Sequence, residues 1–81
     1  MKKVIRFTAS WCQPCKMLQK NLEGIQTNVP IEVVDIDDNP QIAMEYGIRS
    51  VPTLIMSDEG NVSKRLVGVK STQELTEWIN G

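Results

Sequence analysis

The chain has 81 residues, 41% hydrophobic and 23% charged, which is the balance of one small globular domain with no room for a second. Nine Lys and Arg against ten Asp and Glu leave a net charge of −1, without the basic excess expected of a nucleic-acid binder. Histidine is absent, which removes Ser-His-Asp and Cys-His nucleophiles, Cys2His2 zinc sites and Cys-x-x-Cys-His haem attachment.

From the N-terminus, Lys2, Lys3 and Arg6 form the one local cluster of cations and read as a solvated terminus. Met1-Lys2-Lys3 has the charge of a signal-peptide start. However, Val4 to Thr8 is interrupted by Arg6 and is too short for an apolar region of about 7–15 residues. No apolar run approaches the roughly 20 residues of a membrane span. A soluble, cytoplasmic chain without membrane contact is expected. Val4 to Thr8, β-branched and aromatic, predicts a strand. Leu18, Leu22 and Ile25 recur at helical spacing and predict an amphipathic helix over 14–25, closed by Asn28-Val29-Pro30.

Ile31 to Asp37 predicts a second strand. Asn39-Pro40 predicts a capped start to a short helix carrying Ile42, Ala43 and Tyr46, with Gly47 at its C-terminal end. Strands follow at 53–56 and 62–67, joined through Ser57-Asp58-Glu59-Gly60-Asn61. Ser71-Thr72-Gln73-Glu74 has the form of a capping box, and Leu75, Trp78 and Ile79 form the apolar stripe of a last helix, with Trp78 expected in the core. The order β-α-β-α-β-β-α predicts one α/β domain over residues 1–81: a four-stranded mixed sheet with helices on both faces. Its first two strands should be parallel through a right-handed crossover, and its last two antiparallel.

The only two cysteines stand in Trp11-Cys12-Gln13-Pro14-Cys15-Lys16, where the first strand gives way to the first helix. Unpaired N–H groups at a helix start favour a thiolate over a thiol. The Cys12 pKa should therefore fall from roughly 8.5 toward neutrality, with Lys16 one turn later adding a positive charge. Pro14 suits the first turn, and Cys15, three residues on, can reach the Cys12 sulfur. A structural disulfide over so short a loop would contribute only about 2 kcal/mol. A zinc site would need ligands from a second chain or from carboxylates. A redox-active pair is the third reading and the one that placement near a βαβ unit favours.

These residues resemble the thioredoxin family, and the resemblance runs from about Val4 to the C-terminus. Trp11 to Lys16 is similar to its active-site segment, with Gln13 in place of the usual glycine. Asp37-Asp38-Asn39-Pro40 and Tyr46 to Leu54 are similar to its middle segment, and Gly60 and Val67-Gly68 to its later glycines. The strand and helix that usually precede the active-site strand have no counterpart in the match. The resemblance implies a thioredoxin-like fold and a protein-disulfide reductase needing no cofactor or metal beyond its redox-active cysteine pair. Cys12 would attack a target disulfide and Cys15 would resolve the mixed disulfide. Pro52 would be cis and packed against the pair, leaving the Val51 backbone free to pair with an extended substrate. Gly68 would allow close approach of that substrate, and Trp11 would offer an exposed apolar contact.

The family usually carries a buried acid six residues before the first cysteine, paired with a lysine on the next strand. Here those positions hold Arg6 and Val33. Arg6 could point to the site and stabilise both thiolates, or snorkel to solvent as a surface cation at a sheet edge. Its closeness to the chain start favours the second. Gln13 alters the dipeptide that tunes the redox poise.

Three functions follow from these readings. The first is a disulfide reductase, monomeric, acting on disulfide-containing proteins and recharged by a flavin-containing thioredoxin reductase. The second is a glutaredoxin-like enzyme recharged by glutathione; against it, Gly68-Val69-Lys70-Ser71 stands where a Gly-Gly-x-Asp-like segment would hold that tripeptide. The third is a binding subunit that docks through Trp11 and Val51-Pro52, its cysteines dispensable.

Overall fold

In the computed structural model, which describes residues 1–81, the elements are β1 (Lys2–Thr8), α1 (Gln13–Leu22), β2 (Ile31–Asp35), α2 (Pro40–Glu45), β3 (Thr53–Asp58), β4 (Asn61–Val67) and α3 (Thr72–Asn80). The strands form one sheet in the order β2-β1-β3-β4. β1 runs parallel to β2 and antiparallel to β3, and β3 runs antiparallel to β4. This is the mixed four-stranded sheet expected from the sequence. The parallel pair needs a crossover, which α1 supplies.

Strand side chains alternate between faces, so β1 contributes to two cores. Val4 joins Leu18, Leu54, Met56, Leu75 and Ile79 on the face covered by α1 and α3. Ile5 and Phe7 join Val34, Ala43 and Ile55 on the face covered by α2. The Phe7 ring tilts against Tyr46 at 5.6 Å between centroids. Burying each large side chain of these clusters stabilises the fold by about 1.5–3 kcal/mol.

Element ends differ from the sequence expectation for local reasons. α1 stops at Leu22 rather than Ile25, because Gly24 opens a turn in which the Ile25 N–H donates to Leu22 O at 3.1 Å. Ile25 still packs on the core from that turn, which is why it continued the helical pattern. β2 stops at Asp35 rather than Asp37, since Asp35 Oδ1 accepts from the Asp37 N–H at 2.8 Å and turns the chain. Asn39 occupies the α2 N-cap without capping; its amide donates instead to Asp35 O at 3.3 Å. At the other end, Gly47 (φ 66°) donates to Met44 O and Ile48 to Ala43 O, a Schellman closure that requires a residue comfortable at positive φ.

The β3–β4 hairpin turns tightly through Glu59 and Gly60, both at positive φ, so the strands extend closer to the turn than composition indicated. Ser71 caps α3 by accepting from the Glu74 N–H at 3.1 Å. Trp78 is half-buried at the rim of the core with the Lys64 ammonium 4.9 Å from its ring, not within the core as its spacing predicted. α1 is tied to α3 by Asn21, whose amide donates to Lys70 O and whose carbonyl accepts from Thr72 Oγ1, each at 2.9 Å.

The largest departure concerns Arg6. The sequence reading places it at a sheet edge, pointing to solvent. β1 is instead an interior strand with neighbours on both sides, and Arg6 is 7% exposed. A side chain in the middle row of a covered sheet face has little solvent within reach.

Candidate active site

Cys12 is the N-cap of α1, with extended backbone (φ −94°, ψ 106°), and Pro14 falls in the first turn, where its missing N–H is not needed. The Cys15 N–H donates to Cys12 Sγ at 3.1 Å, so sulfur takes the place that a Ser or Asp oxygen holds in an ordinary cap. The same N–H can stabilise a Cys12 thiolate, as can the partial positive charge of the helix start. The Cys12 N–H in turn donates to Ala9 O at 3.2 Å, fixing the loop that leads into the helix.

Cys12 and Cys15 are joined as a disulfide, with Cα atoms 5.3 Å apart. Cys12 is 4% and Cys15 1% exposed, and both pack with Ala9 against Ile36 and Val51. The Val51–Pro52 peptide bond is cis. Val51 O lies 3.8 Å from Cys12 Sγ. Pro52 is buried, and its carbonyl accepts from the Gly68 N–H at 3.0 Å, which joins the end of β4 to this loop. Gly68 has φ 92°, so its glycine is needed for the backbone itself.

The sequence-identified residues thus divide into two groups. Cys12, Cys15, Val51, Pro52 and Gly68 converge at one end of the sheet. Gln13, Pro14 and Lys16 lie exposed on the outer side of the first turn of α1, and Lys16 takes part in neither ion pair of the chain. Trp11 is 67% exposed beside the disulfide, and its Nε1 donates to Asp37 Oδ2 at 2.8 Å. Ala9, Ile36 and the anchoring role of Asp37 escaped the sequence reading. They come from the ends of β1 and β2, which only the parallel pairing brings together.

Arg6 shares the α1/α3 face with its register partners Val33 and Leu54. Its Nη1 is buried without a hydrogen-bond partner, and neither ion pair includes it. Burial lowers the pKa of its guanidinium from the ordinary value. The one groove of the surface, about 410 Å³, is lined by Leu66, Lys70, Glu74, Glu77 and Trp78 against α3, apart from the cysteines. No helix is long and apolar enough to cross a membrane.

The thioredoxin family model matches residues 1–81. The chain is 44% identical over 80 residues to a thioredoxin of Chlamydia caviae, covering 95% of this chain and 78% of that protein. It is 38% identical over 81 residues to one of Rickettsia bellii, covering 95% and 77%. Among solved structures, an N21Q mutant thioredoxin from Halobacterium salinarum superposes with TM-score 0.89 at 33% identity, over 98% of this chain and 72% of that one. Thioredoxin-2 of the malaria parasite superposes with TM-score 0.90 at 26% identity, over 99% and 82%. Sequence, fold and cysteine pair agree: the chain belongs to the thioredoxin family and is a thiol-disulfide oxidoreductase.

Proposed function

We propose that the chain reduces disulfides of protein targets as a cytoplasmic monomer, recharged by a flavin-containing thioredoxin reductase. The observation that carries this reading is the Cys12–Cys15 disulfide at the start of α1, preceded by the exposed Trp11 and with Val51 O 3.8 Å from Cys12 Sγ. Val51 lies outside the strands, and its N–H makes none of the backbone hydrogen bonds around the loop. It is therefore free to pair with an extended target segment.

In the reduced protein the Cys12 thiolate attacks one sulfur of the target disulfide, forming a mixed disulfide and displacing the other sulfur as a thiolate. That thiolate takes the Cys15 proton. The Cys15 thiolate then attacks Cys12 Sγ, closes the Cys12–Cys15 bond and expels the second target sulfur, which is protonated from water. Two electrons pass from the protein to the target, and no separate cofactor takes part. Trp11, Pro52 and Gly68 shape the contact with the target, while Gln13, Pro14 and Lys16 set the exposed side of the turn.

Insulin reduction in the presence of thioredoxin reductase tests the proposal. Turnover should be lost in Cys12→Ser. A Cys12→Ser variant as active as the native protein would overturn it, and turnover with glutathione alone would favour the glutaredoxin-like reading. A Cys12→Ser, Cys15→Ser double variant that kept its biological effect would favour a binding role.

A further inference from the structure

We propose that Arg6 is a positioning residue for the redox reaction: its buried guanidinium holds the negative charge of the reduced cysteine pair and thereby raises the reduction potential of that pair. The proposal rests on the dithiol–disulfide cycle described above, though not on its target or its electron donor.

The geometry starts from Val4 and Leu18, which pack together in the core under α1. Two residues along β1 bring the chain from Val4 to Arg6 on the same face, about 6.6–6.8 Å nearer the end where the cysteine loop begins. Three residues back along α1 bring the helix from Leu18 to Cys15, about 4.5 Å in the same direction. Arg6 therefore lies beneath the turn of α1 that carries the buried Cys15. A guanidinium with five donors, placed there with Nη1 unpartnered, lacks an anion in the disulfide form of the protein.

No other charge meets that need. Val33 and Leu54, its neighbours on β2 and β3, are apolar. Asp35, the next residue of β2 on this face, directs Oδ1 to the Asp37 and Asp38 N–H groups at 2.8 and 3.4 Å. On β4, Lys64 donates to Trp78 O and stands over the Trp78 ring. On α1, Lys16 and Lys20 are exposed cations, and on α3 Glu74 and Glu77 are exposed.

The sign of the effect follows from charge. Reduction adds two electrons and one proton to the neutral disulfide and, at neutral pH, leaves one thiol and one thiolate shared between Cys12 and Cys15. A fixed cation stabilises that thiolate and does nothing for the disulfide. It therefore favours the reduced protein and eases loss of the Cys15 proton without a nearby base. The desolvation that lowers the guanidinium pKa is offset by the anion once it forms.

The test equilibrates the protein with glutathione buffers of graded ratio and follows thiolate absorbance against pH, neither of which needs a protein target or a reductase. In Arg6→Met the equilibrium constant for reduction should fall about tenfold, which is about 30 mV toward more negative potential. The thiolate titration should move to higher pH. Arg6→Lys should retain the native values. Val33→Glu, at a 54% exposed position beside Arg6 in the β1–β2 register, should act in the same direction as Arg6→Met by supplying a competing anion. Unchanged equilibrium and titration in Arg6→Met overturn the proposal, as does an Arg6→Lys shift equal to that of Arg6→Met. If Arg6→Met does not fold, native behaviour of Val33→Glu overturns it. Failed insulin turnover with these shifts intact would count against protein-disulfide reduction alone.

Discussion

The two faces of the sheet solve different problems with the same strand. Toward α2, β1 presents Ile5 and Phe7 to an apolar cluster, with no charged group among its buried members. Toward α1 and α3 it presents Val4 and then Arg6, so an unpaired cation is held beneath the helix that starts with the cysteines. A face that only stabilises can be uniformly apolar. A face beneath a reaction that creates charge carries a feature that costs stability in one redox state and is compensated in the other.

Substitutions that act on one face at a time test this contrast. The largest effect is expected from Phe7→Ala, which empties a fully buried site on the α2 face. Stability in urea should fall by about 3–5 kcal/mol, with the glutathione equilibrium of the folded protein unchanged. A shifted equilibrium would show that the α2 face is coupled to the cysteines. Arg6→Met should act in the opposite sense, raising the stability of the oxidised protein by about 1–4 kcal/mol and that of the reduced protein by less. Equal gains in both redox states would remove the distinction between the faces.

Smaller effects are expected where neither face is altered. Ser71→Ala deletes the α3 cap and should cost about 1 kcal/mol in both redox states, read from chemical denaturation. Asp37→Asn keeps an acceptor for Trp11 Nε1 and should change stability by less than about 0.5 kcal/mol. A larger loss would mean that the exposed indole anchors the cysteine loop more firmly than one surface hydrogen bond allows.

The sequence made local features legible where local chemistry decides them. Ser71 caps its helix, Gly47 closes another, and the alternation of Val4 to Thr8 gives a strand with two buried faces. Cys12 and Cys15 could be placed at a helix start from Pro14 and the change of periodicity alone. Arg6 could not be placed in this way. Whether an arginine near the chain start is buried depends on which strand becomes central, and that follows from pairing with residues 31–35 and 53–58. Asn39 and Trp78 failed for related reasons. The Asn39 amide found the Asp35 carbonyl across a turn, and Trp78 met Lys64 from β4 at the rim of the core. In each case a partner distant in sequence, or reached only through a turn, overruled a sound local preference.

The central position of β1 also sets an order of events during folding. Its neighbours on either side are made later than β1 itself, β2 from residues 31–35 and β3 from residues 53–58. While the chain is being synthesised, β1 therefore emerges with both edges open. Contacts between distant segments require the loop between them to close first, which slows sheet formation relative to the local helices. Until β3 arrives, an apolar strand with an unpaired edge is open to pairing with other chains. The strand that leads into the cysteine loop is thus made before both of its partners and is among the last to be enclosed.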